Sequence, residues 1–317
     1  MLNFLRRRLD ELMTGSFLCL VLILMLLCRA HFASPGGLAL ARWVLGSVAL
    51  VVAALLTAVC FTPRVRPMLR VVVEIGPIVV AVLGYVSLKL YDASVITSWL
   101  GITSKDSWMM AADVVLFGKT PYLWFHQGGL DSRLFLQVMS CFYGLYPFTP
   151  VIVLSWFMYK GDMKQLRLIR RTLLISFYCG YCFYIFFPVS GPLSLATPAK
   201  PLFIESTLTY TFLMGNFRFA TDCFPSLHTA NPWLMVWLCR GKLPRWLMAV
   251  AVIVCAGITL STIALRFHYA IDDIAGFIWI FPISLLARAT LPPRTADCPS
   301  APRRTTLGEC QLQSTAS

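Results

Sequence analysis

The sequence predicts an all-α integral membrane protein, a polytopic helical bundle of about eight spans, and three observations carry that prediction. Apolar residues make up 58% of the 317 positions and charged residues only 13%, against about 45–50% and about 25% in soluble domains. The apolar residues gather into runs close to the roughly 20 that a bilayer-crossing helix needs. Lysine and arginine, which bring the formal net charge to +13, sit in short clusters between those runs rather than on one face. Such clusters report topology, not nucleic-acid binding.

Taken in order, the candidate spans fall at about 11–28, 43–61, 71–90, 134–158, 170–187, 226–239, 245–265 and 270–289. The first follows Arg6, Arg7 and Arg8 as a signal peptide would, but it lacks the small-residue cleavage site and is expected to be a retained anchor. Glu74 lies near one end of the third and is expected at the interface. Between the third and fourth, residues 91–133 place Trp99, Trp108, Phe117, Trp124 and Phe125 among polar residues, which suits amphipathic pieces lying on the membrane surface. The sixth is the shortest and carries Asn231 and Pro232, tolerable where neighbouring helices satisfy the freed backbone groups. Most of the eleven cysteines lie in or beside the apolar runs, where they pack as small hydrophobes.

With the N-terminus in the cytoplasm, the cytoplasmic loops receive 18 of the 27 basic residues, as the positive-inside rule requires. Both termini then lie in the cytoplasm. Segments 91–133 and 188–225 share the opposite face, toward a periplasm, exterior or lumen, a bacterial inner membrane being the expected setting. Three regions result: an anchor of three spans over 1–90, a membrane domain carrying the chemistry over 91–290, and a disordered cytoplasmic tail over 291–317, rich in Pro, Ser and Thr.

Only four histidines are present, and this topology brings two of them to one face. His228 lies in Cys-Phe-Pro-Ser-Leu-His-Thr at the start of the sixth span, and His268 in Arg-Phe-His-Tyr-Ala-Ile-Asp-Asp at the start of the eighth. If the eighth helix begins near His268, Asp272 shares its face and can orient the imidazole. A neutral imidazole so held can attack phosphorus, and a second histidine can protonate the departing alkoxide. Phosphate charge also needs donors. The starts of two helices offer free N–H groups, Pro225 and Ser226 fit a helix start with a hydroxyl to spare, and Arg266 and Arg218 are the nearest cations. Asp113 and Asp222 are expected as solvated loop carboxylates, and His31 and His126 as surface residues.

At these residues the chain resembles the type 2 phosphatidic acid phosphatase superfamily. Pro225, Ser226 and His228 match its Pro-Ser-x-His signature, and His268 and Asp272 its closing His-x-x-x-Asp. The form is most similar to the branch containing inositol phosphorylceramide synthase and related bacterial membrane proteins, through Phe187-Pro188-Val189-Ser190-Gly191-Pro192, Gly276, and Asp113 with Leu116-Phe117-Gly118 and Pro121. The resemblance covers about 113–280. It implies His268 as the phosphohistidine-forming nucleophile, Asp272 as its orienter, His228 as the acid for the leaving group, and no metal. The first phosphatase signature has no match, and Thr262 stands where an arginine is expected six residues before the nucleophile.

The expectation is therefore a lipid phosphatase or phosphotransferase with catalytic His228, His268 and Asp272, and with Ser226, Arg266 and Arg218 on the phosphate. Headgroup transfer of the inositol phosphorylceramide synthase type fits the branch. The partner is a membrane lipid bearing a phosphate mono- or diester, with no nucleic acid and no cofactor. A zinc site built from the two histidines and Asp272 is geometrically conceivable. The rival from another class is a non-catalytic lipid-binding or transport protein with an inherited pocket, against which stands the placement of the ionisable groups at span ends.

Overall fold

A computed structural model describes residues 9, 10, 12–17, 66–88, 101–129, 132–194 and 221–290. The expected second span, most of the first, Arg218, His31 and the tail lie outside the described residues. Within them the chain is helical, with a single isolated β-bridge between Val189 and Asp222. Residues 12–17 are helical, followed by α1 (Arg66–Leu88), α2 (Asp106–Phe117), α3 (Tyr122–Gln127), α4 (Arg133–Leu145), a 3₁₀ turn (Tyr146–Phe148), α5 (Thr149–Lys160), α6 (Met163–Phe186), α7 (Leu227–Leu238), α8 (Arg245–Ala264) and α9 (Ala270–Thr290).

Among the described residues, three helical stretches are long and apolar enough to cross a membrane: Arg133–Lys160, Arg245–Ala264 and Ala270–Thr290. They coincide with the expected fourth, seventh and eighth spans. Helix α7, at 12 residues, spans about 18 Å against the ~30 Å of a hydrocarbon core, so it is a half-length element packed among longer ones. Helix α6 begins at Met163, about two turns before the apolar run does. Its charged first turns are carried by acidic partners from elsewhere in the chain. Buried Asp10 accepts from Arg170 and Arg171, and buried Glu74 from Arg167 and Arg170. Glu74 is thus a neutralising anchor, as buried charges demand.

Helix ends follow local chemistry. Ser226 caps α7 by accepting from the Thr229 amide, Asp162 caps α6 through the Gln165 amide, and Gly161 closes α5 with φ of 72°. Helix α9 carries Asp272 and Asp273 in its first turn and Arg288 in its last, matching the helix dipole at both ends.

Helix α7 is the hub, packed on α6, α8 and α9, while α4 lies along α8 and α1 along α6. Ile169, Leu173, Leu174 and Leu234 are fully buried between them. At one end of this bundle α6 and α8 finish while α7 and α9 start. Helix α2 lies across that end, against the start of α9, with Trp108 and Val115 turned outward. The α5–α6 and α7–α8 turns occupy the opposite end.

Candidate active site

The chain enters α7 through Cys223-Phe224-Pro225-Ser226 and enters α9 through Arg266-Phe267-His268-Tyr269, and these two approaches are hydrogen-bonded to each other. The Ser226 amide donates to the Asp272 carbonyl at 3.1 Å. His268 Nδ1 lies 2.9 Å from the Cys223 carbonyl. A carbonyl can only accept, so this contact puts the proton on Nδ1 and leaves the lone pair on Nε2. Asp272 Oδ2 stands farther off, 3.6 Å from the same nitrogen, and accepts the Tyr269 amide at 2.9 Å. The helix starts at Ala270 rather than at His268, and the four-residue spacing still brings the Asp272 carboxylate within ion-pair range of the imidazole. The short bond comes from a backbone carbonyl, with the carboxylate behind it. Asp272 is fully buried, and among the described residues its Oδ1 has no hydrogen-bond partner.

His228 sits on the first turn of α7 with its ring centroid 5.5 Å from that of His268. Two tyrosines hold it. Tyr143 stacks on one side at 4.6 Å with planes 20° apart, and Tyr146 lies at 4.2 Å, its hydroxyl accepting from Asn231 at 3.2 Å. Their spacing of three residues on a backbone still helical at Tyr146 puts both rings on the same face.

Ser226 is fully buried, and besides capping α7 its hydroxyl meets Asp273. Asp273 collects hydroxyl bonds from Thr229 at 2.6 Å and Thr262 at 2.8 Å as well. Thr262, standing in place of the expected arginine, thus joins a buried carboxylate to the end of α8. Arg266, two residues before His268, adopts φ of 60°, is 8% exposed and lays its guanidinium over Tyr122 at 5.2 Å. The structure therefore brings together His228, His268, Asp272 and Ser226, with Arg266 on the adjoining turn.

Helix α2 fastens this end with two carboxylates on one face. Asp113 is fully buried, not solvated, and accepts from the amides of Ala270 at 3.1 Å and Ile271 at 2.9 Å. Burial pushes its carboxyl above the ordinary range and the two amides pull it part of the way back. Asp106 accepts from the amides of Ser190 and Gly191 and from the Tyr269 hydroxyl. Burial first, and then the Asp106 carboxylate, raise the Tyr269 phenol. Asp222 is buried too and accepts from the Tyr85 hydroxyl of α1.

Among the described residues one trio of potential metal donors, Cys223, His268 and Asp272, lies within 4.8 Å. Two of its members are already engaged, Cys223 Sγ with the Phe267 carbonyl at 3.1 Å and His268 Nδ1 as above.

A family model described as the PAP2 superfamily matches residues 107–286. The chain belongs to the PAP2 superfamily. The match runs from the first turn of α2 into α9 and takes in every site residue named above except Tyr85 and Asp106, leaving α1 outside it. PAP2 superfamily members are phosphatases and related phosphoesterases, and this type of chemistry fits the helical, membrane-like domain found here. No curated protein and no solved structure matches the chain.

The sequence motifs pointed to His228, His268 and Asp272 but missed Tyr143, Tyr146, Asp106, Asp273 and the Cys223 carbonyl. The doubled Asp272-Asp273 was a usable signal. A polar pair entering a buried helix must have two sets of partners.

Proposed function

We propose that the protein is a membrane-embedded enzyme that cleaves or transfers phosphate esters of lipids through a phosphohistidine at His268. The observation that carries this reading is the bond from His268 Nδ1–H to the Cys223 carbonyl, because it commits Nε2, the remaining nitrogen, to be the nucleophile. Nε2 attacks phosphorus, the P–O bond to the leaving group breaks, and His228 gives its proton to the departing oxygen. In the second step His228 takes a proton from water or an acceptor hydroxyl, that oxygen attacks phosphorus, and the P–N bond breaks. The Arg266 guanidinium, on the turn that enters α9, supplies charge stabilisation, with Arg218 a further cation.

Water as acceptor makes a phosphatase and a lipid or polyol hydroxyl a transferase. The Phe187–Pro192 turn, Asp113 and Gly276 resemble the inositol phosphorylceramide synthase branch, which favours headgroup transfer. The domain carrying the chemistry is 91–290, with 1–90 as a membrane anchor. The basic residues at the α5–α6 and α7–α8 turns support a cytoplasmic position for that end, with the histidines toward the periplasm, exterior or lumen.

The test is phosphate release and headgroup transfer from labelled phospholipids and polyprenyl phosphates by the purified protein. Turnover abolished by His268→Ala and indifferent to chelator supports the reading. Undiminished turnover in His268→Ala sinks it, and loss with chelator points to a metal.

A further inference from the structure

At the end of the bundle opposite His228 and His268, the α5–α6 and α7–α8 turns line an open cavity of about 450 Å³. Trp156, Phe157, Leu243 and Pro244 give it apolar walls, and Lys160 and Lys242 line it with positive charge. The Lys160 ammonium lies 5.1 Å from the Trp156 ring centre, so its stem follows the aromatic wall while its head stays with the pocket. One carboxylate, Asp162, also lines the cavity, but it serves as the cap of α6 through the Gln165 amide at 3.0 Å. The two turns are tied by the Gln165 side-chain amide, which donates to the Leu238 carbonyl at 2.7 Å, so the pocket is held by a fixed floor. Lys164, Arg240 and Arg245 stand exposed on the same turns, and their excess over acidic residues makes the site a cationic one.

The surroundings decide which anion fits. Helices α5 and α8 leave the pocket along apolar outer faces on which Ile152, Trp246 and Ile253 are 63%, 66% and 62% exposed. A soluble anion would have no use for such flanks. A phospholipid would lay its acyl chains along them and put its phosphate between the lysines, as basic pockets between transmembrane helices do with anionic headgroups. We propose that this cavity holds the headgroup of an anionic phospholipid from the leaflet opposite the catalytic site, as a bound lipid and not as substrate. The lipid clamps the α5–α6 turn to the α7–α8 turn. The proposal stands apart from the catalytic reading, since neither lysine is near a histidine of the site.

Purified full-length protein in phosphatidylcholine nanodiscs, titrated with phosphatidylglycerol, tests this by native mass spectrometry for retained lipid and by thermal unfolding. The wild type is expected to keep phosphatidylglycerol over phosphatidylcholine and to melt at a higher temperature with it. The Lys160→Ala/Lys242→Ala double variant should bind it about thirtyfold more weakly, at about one basic-residue contribution per lysine, and Lys160→Arg/Lys242→Arg should retain it. Equal retention by the wild type and the alanine variant overturns the proposal. So does an equal thermal shift from soluble glycerol 3-phosphate in phosphatidylcholine discs, which would make the ligand a free anion.

Discussion

The Asp113 carboxylate on α2 caps the backbone of Ala270, 157 residues later, where α9 begins two residues beyond His268. An N-cap is ordinarily supplied by the residue just before the helix. Here it comes from a surface helix, so the helix that carries Asp272 and Asp273 starts where α2 lets it start. Asp106, two turns earlier on α2, grips the Ser190–Gly191 turn and Tyr269 in the same way. Helix α2 and the approach to α9 are one hydrogen-bonded unit.

Removing that cap should therefore reach the chemistry without touching substrate. Asp113→Ala leaves two buried amides without acceptors, a loss of about 1–3 kcal/mol for each such group. The expected result is a lower unfolding temperature and a kcat reduced at least tenfold with KM little changed. Asp113→Asn keeps one acceptor oxygen and should recover part of both. A kcat equal to wild type in a folded Asp113→Ala would show that α9 finds its start unaided.

The acid role proposed for His228 predicts a dependence on the leaving group. With an alkoxide leaving group, His228→Asn should cost roughly 10²–10⁴-fold in kcat. With an aryl phosphate whose leaving group needs no proton, the same substitution should cost far less. Tyr143→Leu, which removes the ring stacked at 4.6 Å, should show the same pattern in weaker form. A uniform loss across leaving groups would assign His228 to binding instead. The comparison needs only steady-state rates on a graded series of esters.

Much of this site could be read from sequence because its parts lie at the edges of apolar runs. The α8 and α9 spans announced themselves by composition, and two histidines at span starts could converge only if the spans alternated. The remainder depended on partners distant in the chain. Hydropathy ends at the arginines of α6, yet the helix continues because Asp10 and Glu74 neutralise them from other segments. Asp113 and Asp222 read as loop carboxylates because no local pattern shows that the chain folds over them. The i+4 spacing selected Asp272 correctly as a neighbour of His268, but the true start of α9 hands the closest contact to Cys223, a carbonyl that every residue type carries.

Asp273 should prove structural where Asp272 sits beside His268. Its oxygens receive the hydroxyls of Thr229 and Thr262 at 2.6 and 2.8 Å, so Asp273→Ala strands buried donors from α7 and α8 together. A loss on the order of 3 kcal/mol of stability is expected, read as a large fall in unfolding temperature in detergent. Thr262→Val should cost about 1–2 kcal/mol by the same reasoning. The two substitutions share one hydrogen bond, so the double variant should be less destabilised than the sum of the singles. Additive losses would mean that the Thr262–Asp273 bond contributes nothing.

Gly276 marks the place where α9 crosses the entrance of α7. A methyl group there would lie 2.6 Å from the Ser226 carbonyl oxygen and 3.3 Å from the Ala230 amide nitrogen, backbone atoms that cannot rotate aside. Gly276→Ala must push the first turn of α7 away from α9, and that turn carries His228. The Ser226 amide bond to the Asp272 carbonyl lies on the same seam and would lengthen with it. An alanine at an ordinary helix site is favoured over glycine by about 1 kcal/mol, so the sign of the effect is diagnostic. Destabilisation with a loss of kcat of at least tenfold is expected for Gly276→Ala. In contrast, Gly76→Ala, in α1 with open space around the position, should leave turnover unchanged and stability equal or higher. Parallel melting curves and turnover numbers for the two variants test whether close contact between α7 and α9 sets the spacing of the two histidines.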